Sequence, residues 1–339
     1  MAFLHVTSPH LHTPRDTGAV MRLVLLATLP GVLALTVCFG FGTLVNIALA
    51  CAIAIACEAI VLALRKRPLG FYLRDGSALV TATLLAISLP PYTPWWVVVV
   101  GTAVAIVIAK HLYGGLGYNP FNPAMVAYVV LLISFPVQMT QWGAPLQAAG
   151  TVPGPLDALA LNFGLAADGV DAMTMATPLD VLKQNSSLPL DELWLANPPF
   201  DSWGGSGWAW ANVGFLIGGV LLLWRGIFTW HAPVAMLCSL SPMTLIGYDG
   251  GSSASTGSPL FHLLTGATMF GAFFILTDPV TSAVSTRGRL VYGALAGILI
   301  YIIRAWGNYP DAVAFSVLLA NFAAPFIDYY TQPRTYGHQ

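Results

Sequence analysis

Charge is scarce in this chain. Lys, Arg, Asp and Glu supply 8% of its 339 residues while 57% are hydrophobic, against roughly a quarter charged in soluble domains. That balance excludes a water-soluble globular fold and points to an all-α polytopic membrane protein. A formal net charge of −1 and the lack of any long basic tract exclude a nucleic-acid partner. Cysteine is also sparse: Cys38, Cys51, Cys57 and Cys238 each lie in an apolar run without C-x-x-C spacing. They read as small hydrophobes, and no thiolate-held metal is expected. Hydrolase elbows, phosphate-binding loops and dinucleotide fingerprints are all missing. The segment before Asp16 is polar and has no small-residue cleavage site, so no signal peptide is expected.

Long apolar runs are what the chain does have. Ten are marked by hydropathy and flanking charge, at about 21–40, 44–64, 76–90, 95–111, 123–137, 210–225, 228–247, 258–278, 288–304 and 311–329. The third, fifth and sixth are short enough to be broken or re-entrant. With the N-terminus in the cytoplasm, every Lys and Arg except Lys183 and Arg304 falls on or near the cytoplasmic side. That asymmetry supports ten crossings and a multi-pass protein of a bacterial inner membrane. The expected division is a cytoplasmic segment 1–20, membrane half 21–137, a periplasmic region 138–209 between spans five and six, membrane half 210–330 and a cytoplasmic tail 331–339. The halves share faint self-similarity: Asp75–Pro91 compares with His262–Pro279, and Gly117–Tyr128 with Gly307–Val317. Five spans per half make these inverted repeats.

Polar residues in this setting are functional suspects. Glu58 and Asp278 are candidates for an ion or proton route, with structural pairing as the alternative, whereas Lys110 and Arg304 are long enough to reach an interface. YGGLGYNPFNPA, residues 113–124, cannot form a regular helix because its glycines and prolines free backbone groups. Haem would need paired axial histidines; His231 and His262 fall near opposite faces, and interfacial anchoring is the plainer reading of His111 with His231. The run Asp171–Asp180, DAMTMATPLD, stands in the acidic outer region. Thr177-Pro178-Leu179-Asp180 reads as a helix start with Thr as N-cap.

Several stretches together resemble the D subunit of the Rnf (Rsx) electron transport complex, and more distantly the B subunit of the sodium-pumping NADH:quinone oxidoreductase. They are Ser8–Thr13, Arg74–Pro91, Gly114–Tyr128, Asp171–Asp180 and Met269–Arg289. The resemblance implies a subunit of a translocating oxidoreductase, ferredoxin:NAD type, that is not catalytic alone. It implies FMN joined through its phosphate to a Thr hydroxyl in a pattern near Asp-x-x-Ser/Thr-Gly-Ala-Thr. Mapped here, that gives Asp171, Thr174, Ala176 and the acceptor Thr177, with Met175 where Gly is commoner. A rival string, Thr265-Gly266-Ala267-Thr268, has His262 in place of the Asp and opens a membrane span, where a flavin transferase has poor access. A phosphate on Thr177 would meet the N-terminus of its helix, and Asp180 is expected to turn away from it. The resemblance also implies a non-covalent riboflavin, other Rnf subunits as partners, and Na+ or H+ translocation. The competing class is a solute channel or secondary transporter without a redox role.

Overall fold

A computed structural model describes residues 16–165, 173–185, 187–197, 200, 205–253, 255–309 and 311–332. An apolar run in lipid satisfies its backbone groups by coiling on itself, and each of the ten marked runs contains helix. The N-terminal group holds α1 (Thr17–Phe39), α2 (Gly42–Leu64), α3 (Ser77–Ser88), α4 (Trp95–Ala103, continued as π-helix over Val104–His111) and α5 (Pro123–Ser134). The middle region carries α6 (Pro155–Asn162), α7 (Pro178–Gln184) and α8 (Leu190–Ala196). The C-terminal group holds α9 (Trp208–Trp224), α10 (His231–Gly247), α11 (Pro259–Leu264), α12 (Thr268–Phe270, continued as π-helix over Gly271–Ile275), α13 (Thr286–Trp306) and α14 (Val313–Thr331). Among the described residues, α1, α2, α13 and α14 are long and apolar enough to cross a membrane. The protein is therefore a polytopic helical membrane protein.

Two expectations about broken segments change. The sixth run is short, as expected, but unbroken, a continuous helix of 17 residues. The eighth, expected to run unbroken, is interrupted between α11 and α12. Thr265 there is extended and Gly266 takes φ +61°, a left-handed turn that glycine adopts without steric cost. The freed Ala267 N–H donates to Asp311 Oδ2 at 2.9 Å. The third run is short, as expected, because Pro90 and Pro91 cannot donate to a continuing helix. Pro90 O instead accepts from Asn46 Nδ2 (2.9 Å) and Thr93 Oγ1 (2.7 Å). In the glycine-rich loop, Gly114, Gly115 and Gly117 all have positive φ, and helix resumes only at Pro123, capped by the Asn122 side chain.

The two groups meet where α1 lies along α9. Gly31, Gly214 and Gly218 bring backbone to backbone: a Cβ on Gly214 would stand 2.6 Å from Pro30 O, and one on Gly218 would collide with Ala27 O. Small residues permit this approach where lipid offers no hydrophobic drive between helices. One continuous apolar core joins both groups, and a smaller one of Leu179, Leu190, Leu193, Phe200 and Phe261 fastens α7 and α8 to α11. The described parts of the middle region thus pack against the C-terminal group. A two-residue antiparallel pair strengthens the region: β1 (Trp142–Gly143) meets β2 (Thr174–Met175), with Trp142 opposite Met175 and Gly143 opposite Thr174.

Candidate functional site

Thr177 begins α7 as its local sequence dictates. It is extended (φ −69°, ψ 157°), Pro178 occupies the first turn and Asp180 the third position. The cap is reciprocal. Asp180 N–H donates to Thr177 Oγ1 at 3.2 Å, while the Thr177 N–H (3.2 Å) and its hydroxyl (2.6 Å) both donate to Asp180 Oδ2. The carboxylate therefore faces the free Thr177 hydroxyl, held there by these local bonds. They also shorten the expected row of unpaired donors: Pro178 has no N–H and that of Asp180 is already taken. Thr174 is half-buried in β2 and Ala176 is exposed; Asp171 lies outside the described residues.

Thr177 and Asp180 open onto a mostly apolar cavity between the N-terminal and C-terminal groups. Trp142 and Trp208 pack edge to face at 4.5 Å on one wall, and Tyr128, Phe270, Asn212 and Asp311 contribute deeper. Gly266 and Ala267 line it too, so the rival string meets Thr177 at the same cavity. Burial pushes the Asp180 carboxyl above the usual carboxylate range; the Thr177 hydrogen bonds oppose this, and the like charge of Asp311 adds to it. Burial pushes the Lys183 ammonium down; its Nζ reaches Tyr309 O at 3.0 Å and the carbonyls of Ile303 and Arg304 at 3.4 Å.

Thr268 is enclosed. Its hydroxyl donates to the carbonyls of His262 (2.7 Å) and Thr265 (3.0 Å) and accepts from Arg304 NH2 at 3.0 Å. Arg304 also reaches His262 O (2.9 Å) and Asp311 Oδ1 (3.1 Å). The expectation that Arg304 reaches an interface fails, because the carboxylate and carbonyls that satisfy a guanidinium converge inside.

Lys110 fails the same expectation. It is buried, with Nζ 2.5 Å from Glu58 Oε1 and 2.7 Å from Ser77 Oγ, and His111 Nε2 is 3.1 Å from the same Glu58 oxygen. Glu58, Lys110 and His111 face a broad opening of about 2060 Å³. Asp278 stands apart from Glu58, accepting from Val280 N–H (3.2 Å) and Thr281 Oγ1 (3.0 Å). It lines a further cavity of about 930 Å³ with Asn119, Asn122 and Lys110. Lys110 borders both spaces and links the two ion-route candidates. His231 stacks on Trp230 and does not join His111. Among the described residues no group of three His, Cys, Asp or Glu is placed to hold a metal.

Sequence reasoning missed Asp311, Asn212, Tyr128 and the two tryptophans at the cavity. One signal was available: each repeat copy beginning at Gly117 and Gly307 has a cation just upstream, Lys110 and Arg304.

Fold and site together define a polytopic membrane protein with a cavity at the joint between two groups of helices. The NQR2, RnfD, RnfE family matches residues 5–337, and the chain belongs to it. It is 59% identical to the D subunit of the ion-translocating oxidoreductase complex of Pseudomonas aeruginosa (strain UCBPP-PA14), over 100% of this chain and 97% of that protein. Against the D subunit of the same complex from Cellvibrio japonicus the identity is 56%, covering 100% and 96%. For that of Vibrio cholerae it is 51%, covering all of both chains.

Proposed function

We propose that this chain is the membrane subunit of an ion-translocating ferredoxin:NAD oxidoreductase complex, carrying FMN on Thr177 and helping couple electron transfer to Na+ or H+ movement. The observation that carries the reading is the Thr177 hydroxyl opening into a cavity with an aromatic wall, while the rival Thr268 is enclosed. The cavity fits the group: Trp142 and Trp208 offer flat apolar surface, and Gly266 leaves backbone bare at its edge. Thr177 would hold the phosphate, with Thr174 and Ala176 presenting the strand before it. When bound, FMN supplies one- and two-electron chemistry; the chain's residues fix its position and keep water from it.

In this reading the chain crosses a bacterial inner membrane ten times, N-terminus inside, in halves 21–137 and 210–330, with region 138–209 periplasmic. The matching contacts Lys110–Ser77 and Arg304–Thr268, each made after a left-handed glycine, Gly76 or Gly266, support the inverted repeat. Glu58 and Asp278 belong to the ion route, joined by Lys110. A non-covalent riboflavin completes this reading as a second flavin. Partners are the other subunits of the complex and the flavin transferase that matures it.

The test is ultraviolet fluorescence of the denatured, gel-separated chain after expression with the transferase. A fluorescent band kept in Thr268→Ala and lost in Thr177→Ala is expected. A dark wild-type band from matured protein would defeat the reading and favour the secondary-transporter class.

A further inference from the structure

We propose that Asp180 is the general base for attachment of FMN to Thr177, so that the acceptor chain brings its own base to the transfer reaction. The proposal rests on the reading of Thr177 as flavin acceptor. A threonine hydroxyl is a weak nucleophile at its own pKa and is activated by a base within about 2.6–3.2 Å. Thr177 Oγ1 stands 2.6 Å from Asp180 Oδ2. That oxygen is itself oriented by the Thr177 N–H at 3.2 Å, which completes a chain of nucleophile, base and orienting donor.

The contact exceeds what a helix cap requires. In a capping box the third-position carboxylate bonds the N-cap N–H and the N-cap oxygen accepts from the third N–H. Both bonds are present, and the carboxylate also accepts a hydrogen bond from the hydroxyl. A hydroxyl oxygen has two lone pairs. One accepts from Asp180 N–H, and the other is free to attack.

Thr268 offers the contrast. Its hydroxyl proton points at the carbonyl oxygens of His262 and Thr265, which cannot remove it, and an arginine donates to its oxygen. Thr177 has the basic partner and Thr268 does not. Burial of Asp180 and the nearby charge of Asp311 raise its basicity above that of an exposed aspartate.

The step balances with a flavin adenine dinucleotide donor presented by the transferase. The Thr177 Oγ–P bond to the FMN phosphorus forms, and the P–O bond to the adenylate breaks. AMP leaves with the bonding pair, the hydroxyl proton passes to Asp180 Oδ2, and nothing is oxidised or reduced.

The experiment uses the full chain, expressed without transferase, in membranes. Purified transferase and flavin adenine dinucleotide are added, and initial rates of band fluorescence are read from pH 5 to 8. Asp180→Asn keeps the shape and an acceptor for the Thr177 N–H. It is expected to label at least about 100-fold more slowly than wild type at pH 7. Asp180→Glu should recover much of the rate. Wild-type labelling requires the carboxylate, so it should fall as pH drops through the Asp180 pKa, above the range of an ordinary aspartate, and this acid limb should be missing in Asp180→Asn. Equal rates for Asp180→Asn and wild type would overturn the proposal, as would a slow Asp180→Asn with the wild-type pH profile, which is the signature of a cap alone. A wild-type chain that takes no flavin at Thr177 removes the acceptor and the proposal with it; a labelled wild type with an equally fast Asp180→Asn removes only the base.

Discussion

The two groups of helices each bury one cation, and they do so differently. In the N-terminal group Lys110 meets Glu58, whose side chain is 4% exposed and comes from another helix 52 residues away. In the C-terminal group Arg304 meets Asp311, seven residues on, 26% exposed and lining the Thr177 cavity. Both cations also bond a hydroxyl that follows a left-handed glycine, Ser77 or Thr268. Lysine is a compact point charge, whereas arginine is a planar fork that bonds several acceptors at once. In the N-terminal group the cation thus belongs to an ion cluster beside an open space. In the other it is a fixed brace that stitches α11, α12, α13 and the start of α14 around the cavity.

Breaking the brace should have the largest effect. Arg304→Gln leaves Asp311 and two further oxygens, His262 O and Thr268 Oγ1, without their donor, and a loss of about 3 kcal/mol is expected, read as thermal unfolding of the purified chain in detergent. A loss under about 1 kcal/mol would erase the distinction between brace and ion cluster. Glu58→Gln should act on transport instead. Assembly of the complex is expected to persist while ion flux per electron falls about tenfold or more in vesicles; equal loss of assembly would make Glu58 another structural partner. The paired hydroxyls sharpen the comparison at smaller scale. Thr268→Ala and Ser77→Ala should each cost about 1–3 kcal/mol by leaving a buried donor short of one acceptor, and Thr268→Ala should keep its flavin fluorescence. Smallest is the cap: Asp180→Ala should cost about 0.5–1 kcal/mol in unfolding free energy, far less than its expected effect on labelling.

Much of this arrangement was legible before the fold was known. Hydropathy located helix in all ten runs, and T-P-L-D announced α7 because capping is decided by four adjacent residues. The loop at Gly114–Gly117 was legible for the same local reason. The buried cations were not, since Lys110 finds Glu58 and Arg304 finds His262 only through tertiary packing. A rule that sends long cations to an interface has no access to such partners. The break at Gly266 was hidden because Thr-Gly-Ala-Thr is apolar enough to pass as continuous span, and the Asp311 side chain that accepts from Ala267 lies 44 residues away. The bond from the free Thr177 hydroxyl to Asp180 went unread because that carboxylate was weighed only against a phosphate.

The bare contact of α1 with α9 has a mechanical consequence. The two helices approach nearly backbone to backbone at Gly31, Gly214 and Gly218, with the Phe215 ring seated over Gly31. A side chain at residue 214 or 218 would therefore wedge the two groups apart, and with them the cavity wall that α9 carries at Trp208 and Phe215.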